Sequence, residues 1–403
     1  MKIIIIGGGA AGFFAAINAA EFNPRADITI LERGKEVLQK VKISGGGRCN
    51  VTHACFFPRE LVKNYPRGEK ALLSPFMQFS AQDTLDWFAH RGVKLKTEAD
   101  GRIFPVTNSS ETIMDCLIGA ANRLGVKILR GCRAESLEQI ENQWLVKTNE
   151  KTFRADKLLV ATGSATAVWD ILSHLGHTVV PPVPSLFTFN IRDTRLQNLL
   201  GISIPEVEIE IVGTKLKATG PLLITHWGLS GPAVLKLSAW AARQLFDRHY
   251  RFTIRINFTS FYNYEGAESV IHTLKQESPR KLVVNTPQYN LPKRLWERLV
   301  LAAEINAEAK WADISKKQSH QLAEQLTRSP FEVTGKSTFK EEFVTAGGVK
   351  LDEVNFKTFE SKRLPNLYFA GEVLDIDAVT GGFNFQAAWT GGWIAAKAMS
   401  EQQ

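Results

Sequence analysis

The stretch from Lys2 to Glu32 constrains the fold more than any other part of the chain. Lys2 to Ile6 is a short apolar run dominated by isoleucine, the pattern of a strand buried on both faces of a parallel sheet. Gly7-Gly8-Gly9-Ala10-Ala11-Gly12 follows at once, and Phe13 to Phe22 reads as a helix, with Ala15, Ala16, Ala19 and Ala20 allowing close packing. Asp27 to Leu31 is a second strand, closed by Glu32 and Arg33. In this G-x-G-x-x-G spacing Gly7 permits a tight turn, Gly9 lets the backbone approach a pyrophosphate, and Gly12 brings the helix close to the strand. The helix start offers free N–H groups and a positive dipole end to the phosphates. Glu32 lies 20 residues after Gly12, where a carboxylate accepts the ribose hydroxyls of an adenine dinucleotide. A glycine turn alone suits unrelated α/β folds too. The complete strand–glycines–helix–strand–Glu unit predicts a dinucleotide, with Ala11 and Arg33 in the same contact set, and leaves FAD or NAD open.

Later glycine signals favour FAD. Lys42-Ile43-Ser44-Gly45-Gly46-Gly47-Arg48-Cys49-Asn50-Val51-Thr52 is a loop dense in backbone donors, able to hold a phosphate or a flavin carbonyl. Arg48 adds a fixed charge fork; it or Lys42 would meet the cofactor pyrophosphate or an anionic substrate, the cofactor being favoured. Leu158 to Gly163 is a buried strand ending in Ala161-Thr162-Gly163, and Asn366 to Asp375 is another, ending in Ala370-Gly371-Glu372 with Asp375 three residues on. A carboxylate there can accept ribityl or ribose hydroxyls. Thr380-Gly381-Gly382-Phe383-Asn384-Phe385-Gln386 then opens a helix from Ala387 to Met399, whose start would point N–H groups at the flavin N1/C2 carbonyl, where reduced flavin carries negative charge. A second G-x-G-x-x-G after a strand is absent, so NAD(P)H is expected only as a transient reductant.

Taken together these motifs resemble the BaiN/RdsA-type flavoproteins, NAD(P)/FAD-dependent oxidoreductases that are also described as aminoacetone-oxidase-like. The resemblance spans nearly the whole chain and rests on Lys42 to Thr52, on Gly220 to Pro232 (G-P-L-L-I-T-H-W-G-L-S-G-P), and on the G-G-V, E-S-K, A-G-E-V-L-D and T-G-G-F-N segments between Thr345 and Gly392. Two departures stand out: His53 replaces the Asn often seen after the Thr, and Ser164 to Asp170 replaces a longer Gly-rich stretch. The resemblance implies an α/β two-dinucleotide-binding-domain flavoprotein, a Rossmann-like FAD domain split across both chain ends, with an inserted β-barrel-like domain and a helical segment. The expected boundaries are 1–188 and 343–403 for the two parts of the FAD domain, 189–272 for the β-rich insert and 273–342 for the helical segment. Val207 to Val212 and Phe252 to Phe258 alternate like half-exposed strands. Leu295 to Lys310 and Gln318 to Leu326 have helical spacing, and Ser278-Pro279 and Ser329-Pro330 mark breaks.

The resemblance also implies reduction of conjugated C=C bonds, in bile-acid-type enones and in ribosomal RNA uridine, by hydride from flavin N5 with a proton to the α carbon. That step needs a proton donor. His226, in the Gly-rich Thr225 to Pro232 segment, is the favoured candidate; its alternative role is to bond the insert to the FAD domain. Cys49 is the second candidate, with a packed thiol as its other reading.

Charge bears on the substrate. Net charge is +8, and between Ile191 and Lys340 there are 21 Lys and Arg against 14 Asp and Glu. A basic module can meet nucleic acid, although ordinary surface charge has the same composition. Three functions stay open: an RNA uridine reductase, a small-molecule ene-reductase or amine oxidase, and a non-catalytic FAD-binding protein. The four cysteines include no C-x-x-C pair, and the eight histidines show no H-E-x-x-H spacing, which argues against thioredoxin-like chemistry and a metal. No apolar run reaches the roughly 18 residues that span a membrane, and Met1 to Ile6 is too short for a secretory core. A cytoplasmic protein with thiols in a reducing compartment is expected.

Overall fold

A computed structural model describes residues 1–259, 261–337 and 344–401. The chain divides into two compact units, Met1–Pro184 with Lys340–Gln403, and Ser185–Phe339.

The first unit is built on a seven-stranded sheet. Lys2–Ile6, the all-isoleucine run, is its centre. It pairs in parallel with Asp27–Glu32 on one side and Lys157–Val160 on the other. Leu367–Phe369 extends the parallel set beyond Lys157–Val160, and Lys127–Arg130 extends it beyond Asp27–Glu32. Two short antiparallel strands, Glu360–Ser361 and Val354–Asn355, finish the edge. The carboxyl ends of three adjacent strands therefore deliver Gly7, Ala161-Thr162-Gly163 and Ala370-Gly371-Glu372 to one rim. That rim is where ligands of open α/β sheets bind.

Two helices cover the sheet beside that rim, Ala10–Phe22 and Phe383–Ser400. Both are apolar nearly all round, because each is buried between sheet and neighbour. A three-stranded sheet of Leu95–Thr97, Arg102–Pro105 and Thr52–His53 lies on the Lys42–Thr52 side of the unit, and a second, Ala134–Ile140, Gln143–Thr148 and Thr152–Ala155, precedes the return strand.

The second unit is a closed six-stranded antiparallel barrel, in the order Thr188–Ile191, Gly228–Ser230, Lys217–Ile224, Ser203–Ile211, Phe252–Asn257 and Ser329–Ser337. Val207, Ile209 and Ile211, and Ile254 and Ile256, are buried at alternate positions, as period-two strands require. The helices Tyr264–Glu277, Lys293–Ala302 and Lys316–Thr327 share that core through Ile271, Trp296, Leu299 and Leu322.

Two readings of the insert need correction. The stretch expected to be helical also contributes Ser329–Ser337, the strand that closes the barrel. The break read at Ser329-Pro330 is thus a strand start. The helix expected over Leu295 to Lys310 stops at Ala302. Glu304 takes a left-handed φ of +59°, and Ile305 N–H bonds the Val300 carbonyl while Glu304 N–H bonds that of Leu301. This is a Schellman ending, with Glu at the position where glycine is usual. The expected boundary at 342/343 lies outside the described residues.

Candidate cofactor site

The glycine turn is forced by contact. A Cβ on Gly7 would stand 2.4 Å from the Ala161 carbonyl oxygen, and one on Gly12 would stand 2.0 Å from the Gly7 oxygen. Gly9 differs: a Cβ there meets nothing within 4 Å among the described residues. The one glycine expected to face a pyrophosphate is the one with open space above it. A Cβ on Gly371 would stand 3.2 Å from that of Ala11 and 3.9 Å from that of Ala388, so the Ala-Gly-Glu strand end lies near the first turns of both helices.

Among the described residues, neither Ala10–Phe22 nor Phe383–Ser400 has a side-chain cap or an acidic residue in its first turn. Each start is a glycine, Gly9 and Gly382, and leaves first-turn N–H groups for another acceptor.

Ser44, Gly45 and Gly46 leave the helix Gln39–Gly47. Gly45, Gly46, Gly47 and Cys49 all have positive φ, and Cβ atoms on Gly46 and Gly47 would meet nothing within 4 Å. Successive left-handed residues turn their N–H groups into a concave donor surface. Ser44 Oγ donates to the Val41 carbonyl and Ser110 N–H to the Gly47 carbonyl, fixing the loop. Asn50, with its amide oriented to suit its neighbours, accepts from Gly382 N–H and donates to the Thr52 carbonyl, both at 3.0 Å. Thr52 Oγ1 donates to Gln386 Oε1 at 2.6 Å. The glycine-rich loop and the C-terminal helix start are therefore one bonded body. Asn384 bonds Ala378 through both ends of its amide, and Phe385 stacks on Trp389.

Several expected contacts are already occupied. Glu32 accepts from Gly8 N–H at 2.8 Å and Gly34 N–H at 2.7 Å, one on each carboxylate oxygen, and so braces the glycine turn. Arg48 pairs with Glu98 at 2.7 Å and lies 4.0 Å over the Phe104 ring. That pair engages the same charge fork for which a phosphate contact was expected. Lys42 is exposed beside Glu36 at 3.7 Å, and Arg33 is exposed. Asp375 donates its N–H to the Val349 carbonyl.

The two proton-donor candidates differ sharply. Cys49 is fully buried; burial pushes its thiol up to about 12, against a smaller lowering by Ser44. A buried acid that weak is poorly matched to proton delivery near neutral pH, which favours its other reading, a packed thiol. His226 is exposed at the turn between the barrel strands Lys217–Ile224 and Gly228–Ser230, a turn closed by Thr225 N–H to the Gly228 carbonyl.

The sequence reading passed over other residues. Lys40 pairs with Glu372, and both lie against Gly163. His53 stacks on Phe383 at 4.7 Å and bonds the Asp100 carbonyl at 3.1 Å; burial holds it below its ordinary value. Tyr65 donates to the Phe383 carbonyl, and Arg67 pairs with Asp377. Of these, Glu372 and Phe383 were expected at the site and His53 was noted as a departure; Lys40, Tyr65, Arg67 and Asp377 were not, because partners more than 300 residues apart leave no local signal.

An adenine dinucleotide with a flavin fits these residues. The open faces of Gly9, Gly46 and Gly47 and the two uncapped helix starts supply room and donors. Thr162 Oγ1 is buried without a hydrogen-bond partner, a state that a ligand relieves. Among the described residues no cluster of His, Cys, Asp and Glu is suited to a metal, and no helix is long and apolar enough to cross a membrane.

A family profile described as HI0933-like protein Rossmann domain matches residues 1–398. The chain belongs to the HI0933-like family of FAD-dependent oxidoreductases. The family expected from the motifs is thus confirmed. The ribosomal RNA dihydrouridine synthase of Haemophilus influenzae is 30% identical over 99% of this chain and 98% of its own length. The 3-dehydro-bile acid delta(4,6)-reductase of Clostridium scindens is 27% identical over 100% of this chain and 99% of its own. Among solved structures, the 3-ketosteroid-delta4-(5alpha)-dehydrogenase of Rhodococcus jostii superposes with a TM-score of 0.53 at 14% identity, covering 100% of this chain and 97% of that one. At that identity it shows the shared fold, a flavoprotein sheet domain with an insert.

Proposed function

We propose that this HI0933-like protein reduces the C5=C6 bond of uridine in ribosomal RNA, drawing electrons from NAD(P)H. The observation that carries the cofactor placement is the pair of glycine-opened helix starts, Gly9 and Gly382, beside the donor-rich Gly46-Gly47 loop. The substrate reading draws support from two full-length relatives described as ribosomal RNA dihydrouridine synthases, and from the excess of basic residues between Ile191 and Lys340.

Bound there, FAD supplies two-electron transfer to a carbon conjugated with a carbonyl. The chain's own residues bind and orient. The start of Ala10–Phe22 and the open Gly9 face would hold the pyrophosphate, and Glu32 keeps that turn in shape. Gly46, Gly47 and the start of Phe383–Ser400 would offer N–H groups to the ring carbonyls, favouring negative charge there. The proton for the α carbon needs a donor, for which His226 is the candidate that the sequence offers.

Ribosomal RNA from cells with and without the gene is compared by mass spectrometry. A two-dalton gain at one uridine, lost on deletion and restored by the wild-type gene, is expected. Restoration by His226→Asn at full level would remove His226 from the mechanism. RNA identical in both strains would end the RNA reading. The second reading, a small-molecule enone reductase, is favoured by the full-length Clostridium scindens relative and is tested by NAD(P)H oxidation with conjugated enones.

A further inference from the structure

One turn of the barrel unit brings positive charge and aromatic rings together. Ala241 to Asn257 carries Arg243, Arg248, Arg251 and Arg255 against a single carboxylate, Asp247. Arg255 is engaged by Glu210 at 3.3 Å. Arg248 and Arg251 are exposed, and neither has an ion-pair partner among the described residues. The short helix Ala242–Asp247 runs into this turn. His249 N–H bonds the Phe246 carbonyl, Tyr250 N–H that of Leu245 and Arg251 N–H that of Arg248, so the turn has a defined shape. His249 and Tyr250 take left-handed φ values of +50° and +57°, a backbone that costs ring-bearing residues more than glycine or asparagine.

The barrel fixes the rings of the turn. Phe187 meets Tyr250 edge-on at 5.3 Å, and Phe246 meets it edge-on at 6.3 Å. Lys336 lies opposite Phe189 in the closing strand Ser329–Ser337, with its ammonium 5.0 Å from the centre of the Tyr250 ring. It is half-buried, has no ion-pair partner among the described residues, and burial holds it below its ordinary value. A cation in that position gains from an incoming anion. Phe246 is 48% exposed at the edge of the same cluster.

We propose that this turn is an RNA-docking patch, with Arg248, Arg251 and Lys336 on phosphates and Phe246 stacked on a base. The proposal rests on the reading of the substrate as RNA and adds where the barrel unit holds it. Cations that track a backbone, beside a ring that a base can cover, are the two parts of single-strand recognition. An acidic protein surface would use the cations and leave the ring unused. An anionic bilayer takes up a whole apolar face, whereas Phe246 is the one large exposed hydrophobic residue between Ala241 and Asn257.

The test measures binding of purified holoprotein to protein-free ribosomal RNA across a salt series. Arg248→Gln combined with Arg251→Gln, Lys336→Gln, and Phe246→Ala are compared with wild type. The charge-matched control combines Lys147→Gln with Arg154→Gln, two exposed positions of the first unit. The arginine variant is expected to bind at least roughly tenfold more weakly and to flatten the slope of log K against log salt by about 1.4, or about 0.7 per phosphate contact on a single strand. Lys336→Gln is expected to flatten it by about half as much. Phe246→Ala is expected to lose roughly tenfold with the slope unchanged, as lost stacking does. The control is expected to bind as wild type does, and an unchanged Tm shows that each variant is folded. Patch variants that bind RNA as tightly as wild type overturn the proposal. A control that weakens as far as the arginine variant also overturns it, since net charge alone would then explain the loss. Variants that keep RNA but lose vesicles of phosphatidylglycerol would assign the patch to a membrane surface and overturn it too. Wild-type protein with no salt-sensitive RNA affinity would end the RNA reading itself, so the two failures are told apart.

Discussion

A Cβ placed on Gly392 would stand 2.8 Å from the carbonyl oxygen of Ala11 and 3.3 Å from the amide nitrogen of Ala15. The C-terminal helix thus rests on the backbone of the helix that follows the glycine turn. That contact joins the two chain ends and sets the spacing of both helix starts. Backbone cannot retreat as a side chain can, so Gly392→Ala must push the helices apart. Overpacking of this kind costs about 1–3 kcal/mol. A lower Tm together with reduced FAD content is the expected outcome, read by thermal melting and by flavin absorbance. An unchanged Tm would show that the helices have slack the packing does not suggest.

Gly9 and Gly12 separate folding from binding. Gly9 has ordinary extended backbone, φ −93° and ψ −169°, and open space at its Cβ position, whereas a Cβ on Gly12 would lie 2.0 Å from the Gly7 oxygen. Gly9→Ala is expected to leave the Tm of the FAD-free protein within about 0.5 kcal/mol equivalent of wild type while weakening FAD binding by at least roughly tenfold, through loss of close backbone approach. Gly12→Ala is expected to lower stability even without FAD. Calorimetry of the stripped proteins and fluorescence titration with FAD measure the two effects. Equal FAD affinity for Gly9→Ala and wild type would remove the pyrophosphate from that face.

Much of this was legible in the sequence, and the reason is locality. Lys2–Ile6, Gly7 to Gly12 and Asp27–Glu32 lie within one unit of chain, so spacing alone predicts their geometry. The Ala161-Thr162-Gly163 and Ala370-Gly371-Glu372 turns were found because buried strands end in recognisable small residues. What escaped is long-range. Arg48 looked like a phosphate ligand because a charge fork beside glycines usually is one; its partner Glu98 and the Phe104 ring come from a separate hairpin. Lys40–Glu372 and Arg67–Asp377 are pairs that only the folded sheet brings together. The helix stop at Glu304 escaped because a non-glycine residue adopts the left-handed turn.

Acid sensitivity is expected from a buried cluster at the sheet edge. Glu353 accepts from Thr178 N–H, Arg363 and His177, and His177 bonds Ser361 on its other side. Burial pushes the Glu353 carboxyl up, but the hydrogen bonds from Thr178, Arg363 and His177 outweigh it and hold the group at about 2. Burial also holds His177 below its ordinary value. Both folded-state values are depressed, so at intermediate pH the unfolded chain binds more protons and stability rises with pH. The His177 contribution erodes as pH falls below about 6.5, and that of Glu353 as pH falls from about 4.5 towards 2. For Glu353 the whole effect is on the order of 3 kcal/mol. Urea unfolding between pH 7 and 3 checks this: Glu353→Gln is expected to be less stable at pH 7 and to lose less on acidification. A slope as steep as that of wild type would place the acid-labile group elsewhere.

Cys49 gives the sharpest test of the active-site assignment. It is buried while Cys55 and Cys116 are half-exposed and Cys132 is buried. A thiol raised to about 12 stays protonated at neutral pH, and the thiolate is the species that alkylating agents attack. Iodoacetamide is therefore expected to label Cys55 and Cys116 in the native protein, and Cys49 and Cys132 only after denaturation, as read by peptide mass spectrometry. Loss of a proton donor typically costs a factor of about 100 or more. Cys49→Ala is expected to cost some stability, since it empties a packed position, but to keep turnover within about threefold of wild type because no proton passes through the sulfur. A hundredfold loss of turnover with FAD content unchanged would return Cys49 to the chemistry and require a path for its proton that the closed packing around it does not offer.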